Sequence, residues 1–162
     1  MTQATKRAGD ILLVNCNPDD EELALRALAR GDLACEVTVA RDGGEALEYL
    51  FGVGRFAGRD ARAQPALVLL DLTLREIGGL EVLRRIRADP RTRSVPVVVL
   101  TASGEDEDIR RSYECGANSY VRKPVNFAEF TAAVSQLGAY WLGLNRLPRN
   151  VGETLTRTVR SS

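Results

Sequence analysis

Three polar side chains stand at the ends of three apolar runs. Asp71 closes Ala66-Leu-Val-Leu-Leu-Asp71, Thr101 closes Val95-Pro-Val-Val-Val-Leu-Thr101, and Lys123 closes Ser119-Tyr-Val-Arg-Lys123, just before Pro124. A carboxylate can take up a phosphoryl group as a nucleophile, an ammonium can pair with one of its oxygens, and a hydroxyl can hydrogen-bond another. The intervals between them are 30 and 22 positions, each enough for one helix and a return strand. A parallel α/β sheet gathers the carboxyl ends of its strands along one edge, where ligands bind. The spacing therefore predicts a phosphoacceptor site with Asp71 as the nucleophile. Ala102 leaves room for the group's approach, and Tyr120, three residues before Lys123, can turn between exposed and buried positions. Taken singly, a strand-end Asp, Thr or Lys is a common solvated cap; all three at one edge, followed by Lys-Pro, argue for a site.

Composition sharpens the lysine. Of 22 basic residues only Lys6 and Lys123 are lysines, so a compact, rotatable ammonium stands where arginine's planar fork was otherwise preferred. The chain has no histidine, which removes a histidine phosphodonor and every His-based catalytic or metal site. Its 162 residues, 44% hydrophobic and 27% charged with a formal net charge of zero, suit one soluble domain and give no bulk field favouring nucleic acid or an anionic membrane. No apolar run approaches the length of a membrane span, and no signal peptide precedes the first strand. Three widely spaced cysteines without a CxxC fit a reducing, cytoplasmic setting.

The elements that must position these residues follow in order. Ile11–Val14 reads as a short buried strand. Asn17 or Pro18 opens a helix with acidic residues in its first turn and Leu23, Ala24, Ala27 and Leu28 on its apolar face, ended by Gly31. Cys35–Ala40 is a second strand, and Asp42-Gly43-Gly44 turns into a helix from Glu45 to Leu50. Residues 52–64, with three Gly and three Arg, read as a surface insertion. A helix near Leu80–Ala88 follows the Asp71 strand, and Asp89-Pro90 stops it. After Thr101, Ser103 can cap a helix from Glu105 to Glu114; Gly116 ends it, and a last helix starts near Asn126. Strands that are continuously apolar, alternating with helices, predict a flavodoxin-like (βα)5 doubly wound parallel sheet, covered on both faces.

The domain is expected over residues 9–138, with an apolar extension over 139–148 and a polar tail over 149–162. Phe127, Phe130, Val134, Leu137, Trp141 and Leu144 form a heptad-like stripe. Its first four members are explained by packing on the sheet. Trp141, Leu142, Leu144 and Leu147 lie past a complete five-helix domain, so they must fold back or meet a partner, and a homodimer contact is the favoured expectation. Arginines of the tail are a weak nucleic-acid signal and read as a solvated terminus.

The strings Ile11-Leu-Leu-Val14, Leu69-Leu-Asp71-Leu72, Gly79-Leu-Glu-Val-Leu83, Val97-Val-Val-Leu-Thr101-Ala102 and Lys123-Pro124 resemble the receiver domain of bacterial response regulators. The insertion and the ending Tyr140-Trp-Leu142 through Leu147-Pro148 are similar to the single-domain regulators paired with phytochrome histidine kinases. The resemblance implies phosphotransfer from a sensor histidine kinase, of the bacteriophytochrome kind, to Asp71. It also implies Thr101 and Tyr120 as a switch pair, Mg²⁺ as cofactor, and a dimer surface that includes Phe127, Phe130, Trp141, Leu142, Leu144 and Leu147. A signalling protein rather than an enzyme follows, with no DNA-binding output domain in the sequence.

One departure outweighs the matches. A receiver's first strand normally ends in two acidic residues that hold Mg²⁺, and here those places hold Asn15 and Cys16. Mg²⁺ wants hard oxygen ligands, and a thiol is a soft, poor substitute. Only the Asp71 carboxylate, the Thr73 backbone carbonyl and waters remain, while Asp19 and Asp20 are expected to point away from the pocket. Weak or absent Mg²⁺ binding is the expectation, with slow phosphorylation and a long-lived aspartyl phosphate if one forms. Arg75, where the family often has proline, either loosens the loop after Asp71 or offers a new contact. Two rivals stand beside this reading. One is a receiver-like interaction module that no longer uses phosphate. The other, remote, is a haloacid dehalogenase-like phosphatase, which would need an acid/base carboxylate where Thr73 stands.

Overall fold

The computed structural model describes residues 7–31 and 34–148; the expectation for the tail at 149–162 falls outside them. The elements, in order, are β1 (Arg7–Val14), α1 (Pro18–Ala29), β2 (Ala34–Ala40), α2 (Gly43–Phe51), β3 (Leu67–Leu70), α3 (Gly79–Ala88), β4 (Val97–Thr101), α4 (Asp106–Glu114), β5 (Ser119–Arg122) and α5 (Phe127–Gly138). All strand pairings are parallel, in the spatial order β2-β1-β3-β4-β5. This is the flavodoxin-like (βα)5 sheet, and its order reverses beside β1, so the carboxyl ends of β1 and β3 flank the crevice.

The period-2 geometry of a strand divides each apolar run between two cores. Leu12, Val14, Val68, Leu70, Val97 and Val99 face α2 and α3, where Ala46, Leu50, Val82, Leu83 and Ile86 are buried. Ile11, Leu13, Leu67, Leu69, Val98 and Leu100 face α1 and α5, against Ala24, Ala27, Leu28, Phe130 and Val134. Neither face meets water, which is why the runs are unbroken by polar residues. α4 is the exception among the helices: Ser112 is its one buried residue.

Caps set several helix starts. Asn17 accepts from the backbone N–H groups of Asp19 and Asp20, Asp42 from that of Glu45, and Asn126 from that of Glu129. The α4 start differs from expectation: Ser103 lies two residues before the Glu105 cap position, accepts from the Glu105 N–H, and donates its hydroxyl to Asp108. α3 has no side-chain cap, because Gly78 stands at its N-cap with φ −68°. A Cβ at Gly78 would meet nothing within 4 Å. Gly78→Ser is therefore expected to stabilise the protein by about 0.5–1 kcal/mol, from a new cap and a less flexible unfolded chain. A rise in the urea midpoint at unchanged slope checks this.

The 52–64 segment is more ordered than a plain loop. It carries a turn of 3₁₀ helix at Gly54–Phe56, the Phe56 ring meets Tyr49 edge-on at 5.1 Å, and the Arg59 guanidinium lies over the Tyr49 ring, 3.9 Å from its centre. At the other end of the chain α5 runs into a turn of π-helix, Ala139–Leu144. Here two expectations need correction. Phe130, placed on the sheet by the stripe but at a dimer surface by the resemblance, packs on the sheet: it is 3% exposed, on the α5 face against the sheet and α1, and is removed from the dimer surface. Phe127, placed on the sheet by the stripe and at a dimer surface by the resemblance, does not pack on the sheet: it is 72% exposed, one residue past the N-cap and off that face. Trp141 and Leu142 are partly buried against the same core, while Tyr140, Leu144 and Leu147 remain exposed.

Candidate functional site

β3 and β4 stop at the same sheet edge, and the residues that follow or close them are polar and buried. Asp71 is 7% exposed and Thr101 1%. The Asp71 backbone N–H donates to Val14 O at 3.0 Å, which fixes this residue beside the end of β1. Both oxygens of its carboxylate are held: Oδ1 accepts from Thr101 Oγ1 at 2.9 Å and from the Thr73 N–H at 3.0 Å, and Oδ2 accepts from Lys123 Nζ at 2.7 Å. Gly79 closes the loop from behind. A Cβ there would lie 2.5 Å from Asp71 O and 2.7 Å from Leu72 Cα, so only glycine lets α3 start this close. The loop between them holds one non-glycine residue at positive φ, Glu76 at 63°, next to the exposed Arg75.

The structure thus brings Asp71, Thr101 and Lys123 into direct contact, with Ala102 exposed beside Thr101. Tyr120 is half-buried, and its hydroxyl donates to Ser103 O at 2.8 Å. The expectation for Asp20 is overturned. Lys123 Nζ also donates to Asp20 Oδ2 at 2.8 Å, so the ammonium sits in a fork between two carboxylates with its side chain 10% exposed. The signal was in the sequence: Asp20 precedes Ala24 by four and Ala27 by seven, which puts it on the sheet-facing stripe of α1 rather than with exposed Asp19. Burial alone would lower the Lys123 pKa. The bonds to Asp20 and Asp71 outweigh it and raise that pKa above the ordinary lysine value. The ammonium is charged at neutral pH, and its contribution to stability is lost only as pH rises through the raised value.

The divalent cation implied by the resemblance does not fit the donors present. Asn15, 2% exposed, has its Oδ1 occupied by the Asn17 N–H at 2.7 Å. The Cys16 thiol donates to the Thr73 carbonyl at 3.3 Å, covering the one backbone oxygen expected as a ligand. Both Asp71 oxygens are taken by donors, and among the described residues no cluster of three or more His, Cys, Asp or Glu side chains could hold a metal ion. A hard cation needing several oxygens would have to share or displace these donors.

The chain is similar over most of its length to known proteins. It is 42% identical over 138 residues to a probable methanogenesis regulatory protein, FilR2, of Methanothrix harundinacea, covering 85% of this chain and 86% of that one. It is 34% identical over 138 residues to the response regulator Rcp1 of Synechocystis, covering 85% and 92%. Among solved structures, the manganese-bound form of Rcp1 superposes with a TM-score of 0.81 at 33% identity, covering 87% of this chain and 99% of that one. The phosphorylated cyanobacterial phytochrome response regulator RcpA gives 0.82 at 38%, with the same coverage. The bacteriophytochrome response regulator AtBRR gives 0.69 at 46%, covering 88% and 97%. The model of the response regulator receiver domain matches residues 11–135, a span that begins inside β1 and takes in every side chain of the pocket. The chain thus belongs to the response regulator receiver domain family, homologous to the regulators associated with phytochromes in two-component signalling.

Proposed function

We propose that Asp71 is the phosphoacceptor of this receiver and takes its phosphoryl group from a phosphohistidine on a sensor kinase of the bacteriophytochrome kind. The observation that carries this is the buried Asp71 carboxylate, with Thr101 and the Thr73 N–H on one oxygen and Lys123 on the other. In the transfer the histidine N–P bond breaks, an Asp71 O–P bond forms, and the imidazole keeps the electron pair. Lys123 then follows the charge onto a phosphoryl oxygen, and the Thr101 hydroxyl is placed to donate to another. With Asn15 and Cys16 in place of the acidic pair, Mg²⁺ is bound weakly or not at all, and the reaction is slow. The protein acts in the cytoplasm and signals through contacts rather than catalysis. Its copies pair through the exposed Phe127, Leu144 and Leu147 and the partly buried Trp141 and Leu142, beside a cavity of about 370 Å³ that Trp141, Tyr140, Leu137 and Val121 line.

A second reading has an observation in its favour. The Cys16 thiol on Thr73 O and the Asn15 amide on the Asn17 N–H leave a pocket satisfied without any ligand, as suits a receiver that works as an interaction module. Uptake of base-labile phosphate from acetyl phosphate separates the two. The acceptor reading expects label on the wild type that falls to background in Asp71→Asn. Equal label on Asp71→Asn, or none on the wild type, transfers the function to the interaction surfaces.

A further inference from the structure

Asp20 is the side chain of the pocket that the acceptor chemistry does not use. Its Oδ2 and the Oδ2 of Asp71 both accept from Lys123 Nζ, at 2.8 and 2.7 Å, so the two oxygens lie within about 5.5 Å of each other. Two carboxylates share one ammonium, which leaves a negative charge uncompensated before any phosphate arrives. A phosphoryl group brings further negative charge to the same cation.

We propose that Asp20 is a charge gate on the acceptor pocket, competing with an incoming phosphoryl group for Lys123 and repelling it. The inference deepens the phosphoacceptor reading and rests on it for covalent uptake alone. Removing the charge need not disturb the geometry. An asparagine at position 20 keeps an oxygen for Lys123, and Asp71 still holds the ammonium from the other side. Asp19 and Glu21 remain as acids in the first turn of α1, so the helix keeps its favourable N-terminal charge. With the geometry retained, electrostatic relief decides the sign: like charges at this separation, partly screened because Asp20 is 26% exposed, change an equilibrium on the order of tenfold.

The test has a covalent and a non-covalent arm. Initial rates of labelling by acetyl phosphate are compared in wild type, Asp20→Asn, Asp20→Glu and Asp71→Asn, at low and high salt. Inorganic phosphate is then titrated against protein labelled with ¹⁵N at lysine, whose side-chain spectrum holds signals from Lys6 and Lys123 alone. Asp20→Asn is expected to label about tenfold faster and to bind phosphate about tenfold tighter at the Lys123 signal. Asp20→Glu, which keeps the charge, should stay near wild type, and added salt should narrow the gap. No tightening of phosphate binding in Asp20→Asn, or equal tightening in Asp20→Glu, overturns the gate. Tighter phosphate with no label on any variant sinks the acceptor reading and leaves the gate standing. Label lost only in Asp71→Asn, with rates and binding otherwise equal, does the reverse.

Discussion

Asn15→Glu/Cys16→Asp is expected to give a receiver whose stability and phosphate uptake depend on Mg²⁺ far more steeply than those of the wild type. The wild-type pocket satisfies itself: Asn15 bonds the Asn17 N–H, Cys16 bonds Thr73 O, and Lys123 joins Asp71 to Asp20. The double substitution removes the thiol from Thr73 O and adds two negative charges beside two existing carboxylates, with one ammonium between them. Without metal that crowding is destabilising. With metal, the introduced acids, Asp71 and the freed carbonyl form the hard oxygen set that Mg²⁺ prefers. At a Mg²⁺ concentration about a hundred times the dissociation constant, binding adds roughly 2.7 kcal/mol, a rise in melting temperature of roughly 5–10 °C for a domain of this size. Labelling by acetyl phosphate should rise on the order of a hundredfold when the cation shares the phosphoryl charge. Thermal melts and labelling with and without Mg²⁺ check both. An equal Mg²⁺ response in the wild type would mean that the native pocket holds the metal after all.

Most of what positions the site was legible in the sequence because it depends on local pattern. Continuous apolar runs ending at Asp71 and Thr101 announce a sheet buried on both faces, and their spacing fixes which residues share its edge. The start of the last helix was harder. Phe127 and Phe130 are both aromatic and three apart, yet one is 72% and the other 3% exposed; a heptad stripe does not say where a helix's first turn lies relative to the sheet. Asp20 was misplaced for a different reason. Acidic residues in a first helical turn are normally explained by the helix dipole, and that general explanation hid the α1 periodicity, which aims this one acid at Lys123. The clamp between Arg87 and Asn118 carried no local signal, since its bonds to Gly116, Asn118 and Val97 join positions more than twenty residues apart.

Arg87 is expected to be the costliest single truncation outside the cores. It is half-buried in α3, and every acceptor it meets is a carbonyl or amide oxygen. Nε donates to Gly116 O at 2.9 Å, Nη1 to Arg93 O at 3.1 Å and Val95 O at 2.7 Å, and Nη2 to Asn118 Oδ1 at 2.8 Å. Burial lowers its pKa from the usual arginine value, but a guanidinium stays charged across the physiological range. Its fork holds three segments together: the end of α3, the approach to β4 and the turn before β5. Asn118 completes the clamp by accepting the Val97 N–H at 2.8 Å. Arg87→Ala removes four donor contacts and strands partly buried carbonyls, so a loss of about 3–4 kcal/mol is expected, a large share of the roughly 5–15 kcal/mol that holds a domain together. Arg87→Lys should recover less than half, because one ammonium cannot span acceptors arranged around a planar fork. Urea unfolding of the two variants measures both losses. The same clamp sets where β5 begins, and β5 delivers Tyr120 and then Lys123 to the pocket. Arg87→Lys, if it folds, should therefore also shift the Lys123 side-chain ¹⁵N signal. Loss of stability with that signal unmoved would show that the register of β5 is held by its pairing with β4 alone.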